Sequence, residues 1–259
     1  MKDKLIVGKI GGNVIDNPDL LNTVLDYFAN LPHQKVLVHG GGILATQLAE
    51  VLNIPQQMHE GRRITSAKTL EVAQMVYAGK INTDLVAKLH SRGLVVQGVN
   101  GADGAYIQSE KRSVKPIDFG FVGDIVKVDG ERLARTLSSG IVPVFSAITA
   151  DLEGQLYNTN GDTQASEIAM ALSDFYEVEL RYCFDKPGVL RDVLDPSSVL
   201  KTLSITEYTE LKDKGAIYQG MIPKLDTGFR ALNNGVQTVI LGGTEVFNPI
   251  QTIHTELVL

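Results

Sequence analysis

The residues that could do chemistry stand at the ends of apolar runs. Gly40-Gly41-Gly42 follows Val36-Leu37-Val38-His39 and precedes the helix-compatible Ile43-Leu44-Ala45. Glycines let a backbone turn tightly and approach a ligand with no Cβ in the way. A helix starting there points free N–H groups and the positive end of its dipole at that ligand. The stretch therefore reads as an anion site. Lys9 lies in a second apolar run, residues 5–10, just ahead of Gly11-Gly12. A lysine in that place either snorkels to water from an edge or contacts a phosphate, and the adjacent backbone donors favour the phosphate. Lys224 follows Pro223 in the first turn of a predicted helix, and Asp162 lies near the start of another. Taken singly, Lys224 reads as a surface lysine, Asp162 as a partner of a helix dipole, Arg63 as a solvated side chain and Asn158 as a turn residue.

The elements that must position these groups follow a strand-helix rhythm. Residues 5–10 and 36–39 read as buried strands. Leu20, Leu21, Val24, Leu25 and Phe28 recur at helical spacing behind Pro18,. Alternation of this kind implies parallel pairing and an α/β fold. Residues 54–64, with Pro55, Gly61 and Arg62-Arg63, break the rhythm as a projecting hairpin or loop. Thr65 is read as the N-cap of a long helix that ends before Gly93,. Strands are expected at 94–96, 141–145, 178–184, 236–241 and 256–259. Helices are expected near 130–139, from about 162 to 172, near 204–214, and from about 221 to Gly235. The glycine-rich segment 100–128 reads as antiparallel ribbons. The expected whole is a three-layer α/β/α sandwich with a central, mainly parallel open sheet. Its two lobes, residues 1–170 and 171–259, share that sheet. Glycines cluster at strand ends (11–12, 40–42, 188 and 242–243), where open α/β sheets bind ligands. Gly242-Gly243 is better read as a turn.

Composition narrows the function. The 259 residues are 44% hydrophobic and 21% charged, with a net charge of −6, which disfavours a broad nucleic-acid surface. Cys183 is the only cysteine, so no internal disulfide forms, and its apolar surroundings mark it as core. No apolar run is long enough to span a bilayer, and the N-terminus has no signal-peptide pattern; a cytoplasmic location is expected. There is no Gly-x-x-x-x-Gly-Lys-Ser/Thr and no Gly-x-Gly-x-x-Gly after the first strand, which excludes a P-loop and weakens a dinucleotide-binding reading.

Together, the segments Lys9-Ile10-Gly11-Gly12-Asn13, His39-Gly40-Gly41-Gly42, Gly61-Arg62-Arg63-Ile64-Thr65, Asn158-Thr159-Asn160-Gly161-Asp162, Asp185-Lys186-Pro187-Gly188-Val189-Leu190 and Gly220-Met221-Ile222-Pro223-Lys224 resemble the amino-acid kinase family, in particular its N-acetylglutamate kinase branch. They occur in the family order and span nearly the whole chain. The first two are shared across the family, whereas those carrying Arg63, Asn158 and Lys224 are more specific to this branch. The resemblance implies the amino-acid kinase fold. It also implies ATP-dependent phosphorylation of the γ-carboxylate of N-acetyl-L-glutamate to an acyl phosphate, in arginine biosynthesis. Lys9 and Lys224 would stabilise the transferring phosphoryl group and the leaving β-phosphate, and Asp162 would hold both lysines. Gly11, Gly41 and Gly42 would offer N–H groups, with Gly11 and Gly12 on the nucleotide side. Arg63 would bind the α-carboxylate and Asn158 the amide region. Asp185, Lys186, Pro187, Gly188, Val189 and Leu190, with Tyr218, Gln219, Gly220 and Met221, would line ATP. Mg2+ would arrive mainly through the phosphates, and no dedicated metal ligand is assigned. His39 would fix the glycine loop.

Three departures stand out. Cys183-Phe184 precedes Asp185 where the family more often has a small polar residue. The chain begins at its first strand, which points to a homodimer that is not inhibited by arginine. Arg62 stands where the family usually has an apolar residue. It is either a solvated arginine on a hairpin or a partner for a second carboxylate on a larger acyl group such as succinyl. A non-catalytic ligand sensor on the same scaffold is the competing class, although it would be free to lose Lys9, Asp162 and Lys224.

Overall fold

A strand apolar on both faces needs a cover on both faces, and this requirement organises the chain. The computed structural model describes residues 2–259 apart from 60, 61, 193, 218, 249, 251 and 252. The chain opens with β1 (Lys4–Ile10), buried from Leu5 onward. It is followed by α1 (Gly12–Ile15), α2 (Pro18–Asn30), β2 (Gln34–His39) and α3 (Gly42–Val51). The projecting segment is a two-stranded antiparallel hairpin, β3 (Gln57–His59) and β4 (Arg62–Ile64), pairing Met58 with Arg63 and His59 with Arg62. Helix α4 (Ala67–Ala73), a π-helical segment (Gln74–Ile81) and α5 (Asn82–His90) run on without a break. Then come β5 (Val96–Gly101), β6 (Ile107–Lys111), β7 (Gly123–Val128), α6 (Gly130–Ser138), β8 (Val142–Ala150), β9 (Leu156–Asn158), α7 (Gly161–Leu172) and β10 (Glu177–Cys183). The last elements are β11 (Thr202–Ser204), α8 (Ile205–Asp213), a 3-10 turn (Gln219–Met221), α9 (Ile222–Asn233), β12 (Thr238–Gly242), a second 3-10 turn (Thr244–Phe247) and β13 (Thr255–Val258).

One continuous sheet runs β11-β13-β12-β10-β1-β2-β8-β6-β7, with β5 and β9 also on β8. Its centre is parallel, and among the described residues its strands pair antiparallel at β12/β13, β6/β7 and β8/β9. Side chains alternate across it. Leu5, Val7, Val36 and Val38 pack with residues of α6, α7, α8 and α9. Ile6, Ile10 and Leu37 pack with residues of α2, α3, α4 and α5. The expected three layers with a mainly parallel sheet are thus observed.

Several local expectations need correction. Ser66, not Thr65, caps α4: its Oγ accepts from the Thr69 N–H at 3.2 Å. Thr65 is buried instead and ties the hairpin to the loop before β7, accepting from Phe121 N–H at 2.8 Å while its own N–H donates to the Phe119 carbonyl. The single long helix is interrupted by the π-helical segment. The strand expected at 94–96 begins at Val96 and runs to Gly101 beside β8, and the one expected at 141–145 extends to Ala150. Strand β9 was not anticipated. Among the described residues, no helix is long and apolar enough to cross a membrane.

Candidate active site

Strand β1 has β2 on one side and β10 on the other. The chain winds outward from β1 in one direction first and in the opposite direction later. The carboxyl end of β1 is thus a topological switch point, where the crevice of an open α/β sheet lies. A cavity of about 520 Å³ occupies that place. One end is polar, with Lys9, Gly12 and Lys224. Val189, Leu190, Ile217 and Met221 give it an apolar wall. Its size is that of a cofactor pocket, and such a polarity gradient fits an aromatic base at one end and phosphates at the other.

Strand alternation aims Lys9 at the layer holding α7. Asn160 caps that helix, accepting from the N–H groups of Asp162 and Thr163, and this fixes Asp162 in the first turn. The turn lies against Lys9: a Cβ on Gly161 would meet Lys9 Cε at 3.4 Å, an ordinary contact. Asp162 is buried, with Lys9 Nζ at 2.7 Å from Oδ1 and Lys224 Nζ at 2.9 Å from Oδ2. Burial alone would raise the Asp162 pKa. The Lys9 and Lys224 charges outweigh it and hold the carboxyl well below the usual carboxylate range. Burial pushes Lys9 down, Asp162 opposes this, and Lys224 adds to the lowering. The cluster sets two basic side chains around one carboxylate where Lys9 and Lys224 line the cavity.

The second wall is the loop after β2. His39 is buried, and desolvation lowers its pKa to about 4, so it is neutral at pH 7. Its Nδ1 lies 2.9 Å from the Gly40 carbonyl, an acceptor only, so Nδ1 carries the proton,. Nε2 then accepts from Asn82 Nδ2 at 3.0 Å, and Asn82 Nδ2 also donates to the Val144 carbonyl. His39 thus pins the glycine loop. The N–H groups of Gly41 and Gly42 have no acceptor among the described residues. Gly41 is needed for space: a Cβ there would lie 2.2 Å from Ile81 Cδ1 and 3.0 Å from Tyr77 Cδ1. Both those residues belong to the π-helical segment. A Cβ on Gly12 would lie 3.8 Å from Gly42 N, so the two glycine turns meet.

Beyond this meeting point is a smaller cavity of about 220 Å³. Gly41, Gly42, Arg62, Arg63, Arg112 and Asn158 line it. Arg63 reaches from the hairpin to α3, donating to the Gly42 carbonyl at 3.0 Å, to Thr46 Oγ1 at 2.8 Å and to Gln56 Oε1. Asn158 donates to Thr65 Oγ1 at 3.1 Å. All its lining residues come from the first 160 residues, whereas the larger cavity draws on both halves of the chain.

Most of the residues singled out in the sequence line these two cavities or lie between them. Gly11 borders the larger cavity, but its N–H already donates to the Cys183 carbonyl at 3.0 Å and is not open to a ligand; the open N–H on that turn is Gly12's. Pro187 does not line the larger cavity but an adjoining recess, which it shares with Phe184, Asp185 and Lys186; Gly188, Val189 and Leu190 line the larger cavity alone. Gly220 and Met221 line the larger cavity. Gly61 and Tyr218 lie outside the described residues, and of Gln219 only the backbone is described. Cys183 is fully buried, and burial pushes its thiol up to about 12, which agrees with a core role. Sequence reasoning missed Tyr77 and Arg112. Tyr77 reaches the smaller cavity from the π-helical segment. Arg112 is far in sequence from every motif.

The model of the amino acid kinase family matches residues 4–242. The chain is 48% identical over 260 residues to the acetylglutamate kinase of Cytophaga hutchinsonii, covering 98% of both chains. It is 46% identical over 241 residues to that of Bacteroides fragilis, covering 93% of this chain and 92% of the relative. Among solved structures, the N-acetylglutamate synthase of Neisseria gonorrhoeae, complexed with coenzyme A and N-acetyl-glutamate, superposes with a TM-score of 0.82 at 21% identity; the chain is 99% covered and spans 59% of that protein. At that identity the likeness concerns the fold.

Proposed function

The chain belongs to the amino acid kinase family, and from that premise we propose that it transfers the γ-phosphoryl group of ATP to the γ-carboxylate of N-acetyl-L-glutamate, giving N-acetyl-L-glutamyl 5-phosphate for arginine biosynthesis. The observation that carries the reading is the Lys9–Asp162–Lys224 cluster, set where a nucleotide-sized cavity and a smaller arginine-lined cavity meet.

The chemistry follows from charge. A glutamate side chain with a pKa of about 4.3 is ionised at pH 7, so the attacking oxygen needs no general base. This agrees with a histidine, His39, that is buried, neutral and committed to holding a loop. A carboxylate oxygen attacks the γ-phosphorus, the bond from that phosphorus to the β,γ-bridging oxygen breaks, and ADP leaves with the electron pair. The barrier lies in bringing an anion to a polyanion, so positioning and electrostatic stabilisation dominate. Lys9 and Lys224 neutralise charge on the moving phosphoryl group and the leaving phosphate. Asp162 holds both ammonium groups in place. The N–H groups of Gly12, Gly41 and Gly42 donate to the oxygens exchanged between the two cavities.

Arg63 takes the α-carboxylate and Asn158 the acyl amide. Val189, Leu190, Ile217 and Met221 cover the adenine, and Lys186 and Asp185 lie along the nucleotide. Mg2+ accompanies the phosphates: among the described residues no group of three or more His, Cys, Asp or Glu side chains could hold a metal, and the cation needs few protein ligands when phosphates supply oxygens.

Trapping the acyl phosphate with hydroxylamine tests the proposal. Hydroxamate should form only with ATP, Mg2+ and N-acetyl-L-glutamate together. Hydroxamate with unacylated glutamate instead, or ATP binding with no product, would sink it.

A further inference from the structure

The smaller cavity holds more positive charge than N-acetylglutamate can use. That substrate has two carboxylates. On the reading above, the γ-carboxylate faces the Gly41 and Gly42 donors and the α-carboxylate faces Arg63. Arg62 and Arg112 also line the cavity. Arg62 is exposed on the hairpin and has no carboxylate partner among the described residues. Arg112 is held in place: its Nε lies 3.0 and 3.2 Å from the two oxygens of Asp124, and its guanidinium sits 5.5 Å from the centre of the Phe119 ring. Its Nη1 has no acceptor among the described residues, so one side of the fork stays open.

The position of these arginines decides what they can read. Arg112 N–H donates to the Val122 carbonyl, and Val122 bridges to Asn158. An acyl group whose amide is held by Asn158 thus has Val122 and Arg112 as its next neighbours. From the other side, Arg62 pairs with His59, whose ring packs edge-on against Phe119. Arg112 thus lies on the Phe119 ring, and Arg62 is paired across the hairpin with the residue that touches that ring. Resting on the kinase reading, we infer that the acyl end of this cavity accepts acyl chains that end in a carboxylate of their own, as in N-succinyl-L-glutamate, and that Arg62 and Arg112 select them over acetyl. The acyl carbons pass Val122, and the terminal carboxylate meets the open fork of Arg112 and the exposed head of Arg62.

Three N-acyl-L-glutamates test this: acetyl, succinyl, and the succinyl analogue whose far end is a carboxamide, which has the same shape without the charge. Initial rates of ADP release are measured for the wild type, Arg62→Gln and Arg112→Gln. A charge-assisted hydrogen bond predicts a succinyl-to-acetyl kcat/KM ratio of about tenfold to a hundredfold in the wild type. The carboxamide should fall near acetyl, and the ratio should collapse toward one in Arg62→Gln, with the change in KM for the succinyl compound rather than in kcat. If Arg112→Gln fails to fold after losing its tie to Asp124, Arg62→Gln on the exposed hairpin still decides the matter. Equal or better use of acetyl, a carboxamide that matches succinyl, or a ratio that Arg62→Gln does not move would overturn the inference and leave the kinase reading standing. Failure to phosphorylate any N-acylglutamate would overturn both.

Discussion

Replacing Asp162 by Asn removes one charge and almost no volume. Lys9 and Lys224 then share a buried site with no counter-charge. Asn Oδ1 can accept from one ammonium, but its NH2 group faces the other with donors against donors. At an effective dielectric of about 20, the contacts at 2.7 and 2.9 Å each amount to about 6 kcal/mol of gross attraction,. Desolvation of the three charges and repulsion between the lysines offset most of that. Removing one member of a buried pair typically costs about 3–5 kcal/mol, and that is the expected loss at pH 7.

The pH dependence fixes the cause. Asp162 has a folded pKa below its unfolded value, so its contribution is complete above about pH 4 and is lost as the pH falls through and below the carboxylate range. Lys9 behaves in the opposite way. Its folded pKa is already lowered and drops further without Asp162. Where the unfolded chain binds a proton that the folded one has released, stability rises with pH. Asp162→Asn should therefore recover more stability between pH 7 and 9 than the wild type does,. Urea denaturation at pH 5, 7 and 9 reads both effects. Turnover in the hydroxamate assay should fall about 10²–10³-fold, as for the loss of a preorganised charge. A variant with the wild-type urea midpoint at pH 7, or with wild-type turnover, would refute the electrostatic argument.

Three further outcomes are expected. Lys224→Ala should lose about 10³-fold in kcat yet still bind ATP, as read by equilibrium dialysis, because its partner is the reacting phosphoryl group; loss of ATP binding instead would assign it to ground-state affinity. Gly41→Ala forces a Cβ to 2.2 Å from Ile81 Cδ1 and should cost about 1–3 kcal/mol by overpacking, whereas Gly40→Ala, with no atom within 4 Å of its Cβ, should leave the melting midpoint unchanged. His39 is held neutral with its pKa lowered to about 4, so the folded state loses about 3 kcal/mol as the pH falls from 6.5 to 4. His39→Gln should flatten that part of the stability profile, and an unchanged profile would disprove the buried neutral imidazole.

Much of the site was legible because its parts are local. A lysine just before paired glycines, three glycines after an apolar run, and Pro-Lys at a helix start are patterns of a few residues. They encode strand ends and helix beginnings directly. Errors arose where a local pattern had two solutions. Thr65 and Ser66 can both cap a helix, and the tertiary tie of Thr65 to Phe119 and Phe121 leaves the cap to Ser66. Gly11 carries a backbone N–H as Gly12 does, but β10 runs beside β1 and its Cys183 carbonyl takes the Gly11 N–H. Tyr77 was invisible because it lies in the π-helical segment, outside every motif, and meets Gly41 only in the folded chain.

The sequence by itself determined the layers, the glycine turns and the identity of the charged groups, because periodicity and backbone freedom are properties of neighbouring residues. Only the tertiary structure decided how those groups combine. Asp162 lies 153 residues from Lys9 and 62 from Lys224 in the chain. Their shared burial exists because β1, α7 and α9 converge at one end of the sheet. The same holds for Arg62 and Arg112: the sequence marks Arg62 alone, and the two line one cavity only because the hairpin and the β6–β7 ribbon meet there. Charges act through space, and which charges share a space is set by the topology of the strands between them.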